Sequence, residues 1–313
     1  MASSSSVGVR QQLTSSSPET SDPKVDFAPP CPPNCKCCGF ERPEMNTEPV
    51  IGSLKKLAGH AFIIYGRHTD WASDVAATDG RLKDIVSTLR KTLPKNFPVL
   101  VAEGISGEDK QGDVLLFPQG LRVRAGEDRE KVKNQGDSGN AVITHPRAVP
   151  LAHESRHAFI CGHSGRDRRC GICGPELAAK ILAFGDPRTH VRLCSHVGGH
   201  KFAGNVIVYD MTVADTGDWY GYVTPGNVKR MLDHSARKPF TSGVRDNRLA
   251  IVKGGPAQVY QSHWRGRTGM SKEECIEYAA SKTQQQRVKM VIGGAVVVAF
   301  VVRAVVVLKK SKE

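Results

Sequence analysis

From Gly59 onward, apolar runs alternate with amphipathic stretches. HAFIIYG, beginning at His60, reads as a buried strand. Gly80 to Leu93 has helical periodicity and stops at Pro94, while FPVLVAE, DVLLFPQG and LRVR read as three more strands. After the turn-rich stretch GEDREKVKNQGDSGN the pattern starts again. HAFICG reads as a strand and Gly174 to Phe184 as a helix, with Pro175 suited to its first turn. HVRLCS, NVIVYD and WYGYVT follow as strands, and PGNVKRMLDHSA as a closing helix. Later, Ser271 followed by Glu274 is a capping-box signal for one more helix.

The two halves open alike, with His60-Ala-Phe-Ile and His157-Ala-Phe-Ile. That suggests duplication of one β-α-β-β-β unit. Strand, helix, strand, hairpin, helix is a thioredoxin-like order, its parallel pair joined by a right-handed crossover. The expected fold is therefore α/β, with two thioredoxin-like units in tandem, a disordered N-terminal leader and a C-terminal transmembrane helix. The expected divisions are a Ser/Pro/Cys-rich leader over 1–50, a degenerate first unit over 51–148, a second unit with an extension over 149–288, and a membrane anchor with basic tail over 289–313.

The anchor is read from Met290 to Leu308, MVIGGAVVVAFVVRAVVVL, flanked by Lys289 and KKSKE. Its length suits a membrane-spanning helix, and Arg303 near its end can reach the interface. A tail anchor would leave the bulk facing the cytosol at a plastid, mitochondrial outer, peroxisomal or endoplasmic-reticulum membrane. The N-terminus has no apolar core and is not a secretory signal, although its first acidic residue, Glu19, comes late.

The 313 residues carry a formal charge of +13. No basic run is interleaved with aromatics, so the charge does not describe a nucleic-acid surface. It suits solubility, basic flanks of an anchor, or docking of an acidic redox partner. The nine cysteines are an odd number and unevenly spread, which argues for thiols or metal ligands over a disulfide framework. Four of them (Cys31, Cys35, Cys37 and Cys38) crowd into CPPNCKCC, a spacing that fits no standard structural zinc pattern.

The chemistry concentrates in HAFICGHSGRDRRC and HVRLCSHVGGHKFAGN. Cys161, Cys170, His196 and His200 supply two thiolates and two imidazoles, enough for a four-coordinate soft-metal site. Arg166, Arg168, Arg169 and a helix start favour thiolate at the cysteines. Gly198 and Gly199 let the loop bend both rings inward. Three readings stay open on the residues alone: zinc, a [2Fe–2S] cluster with mixed ligation, and a dithiol pair in Cys170-Gly-Ile-Cys173. The first half has none of the four ligands; His68 and Asp70 stand in the corresponding stretch.

ICGHSGRDRRCG, then HVGGHKFAGN, then WRGRTGMS from Trp264 resemble the sucrase/ferredoxin-like family, over roughly Pro49 to Glu274. The resemblance implies a thioredoxin-like ferredoxin and a [2Fe–2S] cluster held by Cys161, Cys170, His196 and His200. It implies a carrier of single electrons between donor and acceptor proteins, with a ring proton available for coupling. The sucrase half of the label would need two carboxylates flanking a glycosidic bond, and no Asp or Glu stands in such a context.

Overall fold

A computed structural model describes residues 36–46, 49–136, 141–212, 217–235 and 263–280. The strands are β1 (His60–Ile64), β2 (Val99–Ala102), β3 (Val114–Phe117), β4 (Leu121–Val123), β5 (Lys133–Asn134), β6 (Ile143–Thr144), β7 (Val149–Pro150), β8 (Arg156–Cys161), β9 (Thr189–Cys194), β10 (Val206–Asp210), β11 (Asp218–Tyr220) and β12 (Trp264–Arg267). The helices are α1 (Gly80–Thr92), α2 (Arg168–Leu182) and α3 (Val228–Ser235), with a further helix over 272–280. Ten strands form one mixed sheet in the order β12-β11-β10-β8-β9-β2-β1-β3-β4-β7, and β5 pairs with β6 apart from it.

The apolar pattern explains why each element packs as it does. Asp79 caps α1 by accepting from the Leu82 N–H at 2.9 Å. Leu82, Ile85, Val86 and Leu89 then form one buried stripe against alternate residues of β1, β2 and β3. Leu177, Ala178 and Ile181 of α2 do the same for β8, β9 and β10. Opposite side chains on all these strands point to a third core, shared by both halves: Phe62, Ile64, Leu115 and Phe117 with Phe159, Ile207, Tyr209 and Trp219.

That shared core corrects the expectation of two thioredoxin-like units in tandem. The halves repeat one strand order, β2-β1-β3-β4 and β9-β8-β10-β11, yet they are one sheet joined through antiparallel β2 and β9. In a flat sheet β1 and β8 would lie about 14 Å apart, three strand spacings. The Phe62 and Phe159 rings instead stack at 3.6 Å, and Phe117 stacks on Tyr209 at 4.4 Å. The sheet therefore bends at the β2–β9 junction, where Ala102↔Cys194 is the single registered pair, and closes its inner face on itself.

Three further expectations change. α2 begins at Arg168, not Gly174, because the Asp167 side chain caps it by accepting from Arg169 N–H at 2.9 Å. Pro175 thus lies inside the helix. The leader is not disordered throughout: in its 36–46 stretch Arg42 is buried and donates to the Ala203 carbonyl at 2.7 Å. No helix among the described residues is long and apolar enough to cross a membrane, so the fold carries no transmembrane helix there; residues 290–308, read as the anchor, lie outside the described residues.

Candidate metal centre

β8 ends at Cys161, and the GHSGRDRR loop turns back so that α2 presents Cys170 in its first turn. Gly174 makes the approach possible. A Cβ there would sit 2.4 Å from the Cys161 carbonyl oxygen, so only glycine lets α2 lie this close to the strand end. β9 runs parallel to β8 and ends at Cys194, which delivers the following SHVGGHK loop to the same edge. The donor atoms of Cys161, Cys170 and His196 lie within 4.8 Å of one another, with both cysteines buried.

His200 is nearby but outside that trio. Its ring centroid is 5.5 Å from that of His196, its side chain is 52% exposed, and its Nδ1 is 3.9 Å from an Asp167 carboxylate oxygen. The structure thus gathers three of the four expected ligands and leaves the fourth at the rim.

The electrostatics suit anionic sulfur. The hydrogen bond from Cys170 holds the Cys161 thiol well below its ordinary value; His196 and the Val197 N–H add to this, against burial, which pushes upward. Cys170 moves up for the reciprocal reason, since it donates to Cys161 and is itself buried. His196 Nδ1 is buried with no hydrogen-bond partner. A buried ring nitrogen left so costs free energy.

Cys173 does not pair with Cys170. Arg42 Nη1 donates to its sulfur at 3.4 Å, and its own thiol points to the Cys38 carbonyl at 3.6 Å. Both cysteines of the CxxC are fully buried, and no disulfide joins the described cysteines. A dithiol oxidoreductase needs an accessible nucleophile, which this pair lacks. Cys37 and Cys38 lie side by side, sulfurs 3.4 Å apart, whereas Cys31 and Cys35 are outside the described residues. His68, in the first half, is bound to Glu103 through both its backbone N–H and Nδ1 at 2.7 Å.

Several further residues of the same three motifs shape the site, although nothing in their type or spacing assigned them a role. His163 accepts the His196 N–H at Nδ1 (3.3 Å), so its proton is on Nε2, where it donates to the Ala72 carbonyl at 2.9 Å. It links the ligand loop to the first half. Asn205 donates to the Gly199 carbonyl at 3.0 Å. Arg265, in the WRG segment, packs on the same loop.

A second polar cluster occupies the opposite end of β8 and β9. Ser155 and His157 lie 2.9 Å apart and could be mistaken for a nucleophile and its base. Arg192 donates to His157 Nδ1 at 3.1 Å, which puts the ring proton on Nε2 facing Ser155. Ser155 donates to the Ala152 carbonyl, so His157 has no serine proton to take. Glu108 and Asp109 there are paired with Arg122 and Arg192, which leaves no free acid for glycoside chemistry.

The sequence pattern of the sucrase/ferredoxin-like family matches residues 50–266, which span all four proposed ligands. The chain belongs to the sucrase/ferredoxin-like family. Among curated proteins it is similar to altered inheritance of mitochondria protein 32 of Candida glabrata, 42% identical over 82 residues, covering 24% of this chain and 26% of that one. The protein of that name from Eremothecium gossypii is 36% identical over 94 residues, 27% of this chain and 29% of that one. The Saccharomyces cerevisiae protein is 39% identical over 86 residues, 24% and 27% of the two chains. The similarity thus spans little more than a quarter of each relative. No solved structure matches this family member.

Proposed function

We propose that the protein is a one-electron carrier that holds a [2Fe–2S] cluster through Cys161, Cys170, His196 and His200. The supporting observation is the buried trio of donor atoms within 4.8 Å. Two adjacent sulfurs, one favoured as thiolate, beside the His196 ring are a donor set suited to iron–sulfur ligation. Such a cluster gains and loses a single electron, and imidazole in place of two thiolates raises its reduction potential. The chain's own part is to keep Cys161 and Cys170 dry, to orient His196 through His163, and to bring His200 to the surface, where a donor or acceptor protein meets the site. The names of the yeast relatives favour a mitochondrial setting for this chain.

Ligand substitution tests the assignment. C161S, C170S and H196A should each lose most bound iron and visible absorption. H196C should keep part of both and lower the potential, because a thiolate is more negative than an imidazole. Unaltered spectra in all four variants would exclude the assignment; one zinc and no colour in the parent chain would replace the cluster with a structural metal.

A further inference from the structure

Arg265 has its guanidinium buried with no carboxylate in ion-pair range among the described residues. It is 3% exposed. The other deeply buried arginines have acids: Arg267 pairs with Asp218, Arg192 with Glu108 and Asp109, Arg42 with Glu44. Arg265 is held by neutral acceptors instead. Nε donates to Ser53 Oγ at 3.0 Å, Nη1 to Asn205 Oδ1 at 2.8 Å and to the Gly198 carbonyl at 3.3 Å, and Nη2 to the Ser53 carbonyl at 3.3 Å.

An uncompensated buried charge is expensive, so an opposite charge is expected close by. The bond to Gly198, between His196 and His200, sets the guanidinium against the loop that carries both histidines. Burial lowers its pKa to about 10, against which Cys161, Cys170 and Tyr222 favour the charged form. Two glycines make room for the side chain. A Cβ on Gly199 would lie 2.5 Å from Nη2, and one on Gly221 would lie 3.0 Å from the Arg265 Cδ. Gly199 has φ 67°, so its place in the loop requires glycine twice over. Below the guanidinium lie the Phe202 ring at 4.8 Å and the Trp219 ring at 5.5 Å.

We infer that Arg265 is the counter-charge of the metal centre and the clamp that positions the loop from His196 to His200. The inference rests on the cluster reading above for its redox consequence, and on the loop geometry alone for the clamp. A fixed positive charge stabilises the reduced, more negative state and so raises the reduction potential.

The test compares R265Q and R265K with the parent chain by spectroelectrochemical titration of the iron-loaded protein and by cobalt(II) binding to the metal-free protein. R265Q should lower the potential; R265K should keep it near the parent value. Both should weaken cobalt(II) binding several-fold, because neither spans Ser53, Gly198 and Asn205 together. An unchanged R265Q potential, or an R265K potential that falls as far, overturns the counter-charge. Unchanged cobalt(II) affinity in R265K overturns the clamp, and this variant decides it if R265Q does not fold. A parent chain that binds cobalt(II) but assembles no iron and sulfide sinks the cluster reading and with it the redox role, while the cobalt comparison still judges the clamp. A parent chain that binds no metal contradicts both.

Discussion

His60 lies in the core shared by both halves, with no exposed surface, bonded through Nδ1 to the Tyr209 hydroxyl and packed against Trp219 at 5.3 Å. Burial pushes its pKa down to about 3, from 6.5 in the unfolded chain. Between those values the unfolded chain takes a proton that the folded one refuses, so stability falls as pH drops through this window. At pH 5 the penalty is about 2 kcal/mol. His157, lowered to about 2 by burial and then by the Arg192 charge, adds a similar loss. H60Q should therefore lose about 2 kcal/mol less than the parent between pH 7 and pH 5 in urea unfolding; an identical pH slope would contradict the buried neutral ring. At this scale the gathering of Cys161, Cys170 and His196, the proposed ligands, was legible, because thiols and imidazoles at short spacings after strands are informative by type. The roles of Arg265, His163 and Asn205 were not: all three stand in the same motifs, but as ordinary polar residues whose type and spacing assign them no partner.

At the scale of elements, the site depends on how closely α2 approaches the end of β8. Gly174→Ala would press a methyl group against the Cys161 carbonyl and the Gly162 Cα, 2.4 and 2.7 Å away, so the helix must shift and carry Cys170 with it. The expected cost is about 1–3 kcal/mol, with a parallel loss of bound iron. Lys180→Ala, on an exposed position of the same helix, should change neither. Equal iron content in G174A and the parent would separate helix packing from the site. Strands and helices were mostly readable here: α1 over Gly80–Thr92 and the Ser271–Glu274 capping box stand as expected, the latter with Glu274 N–H donating to Ser271 Oγ at 3.2 Å. The start of α2 was misplaced because Pro175 looked like a first-turn proline. Asp167, the actual cap, was hidden among three arginines.

For the whole molecule, the decisive feature is the inner face on which both halves close. Alternating apolar residues announced buried strands, but periodicity does not say whether a second buried face meets a neighbouring unit or the same sheet folded over. The Phe62–Phe159 stack answers that. Phe62→Ala should cost about 3–5 kcal/mol. Trp71 reports on the first half and Trp219 and Trp264 on the second, so fluorescence and far-ultraviolet circular dichroism should still fall in one transition. Two separated transitions in the parent chain would contradict a shared core. Across this fold Glu108 joins the loop after β2 to Arg192 and His190 on β9 at 2.8 and 2.7 Å. Burial alone would raise its carboxyl, but the His190 hydrogen bond and the Arg192 charge take it down to about 2, so this link persists until strongly acidic pH.

The central claim is that this bent sheet holds an iron–sulfur cluster at the edge where β8 and β9 end. Counting iron and acid-labile sulfide in the chain purified without oxygen tests it most directly. The account expects about two of each per chain, with visible colour that fades in C161S; a colourless protein with neither iron nor sulfide would contradict it.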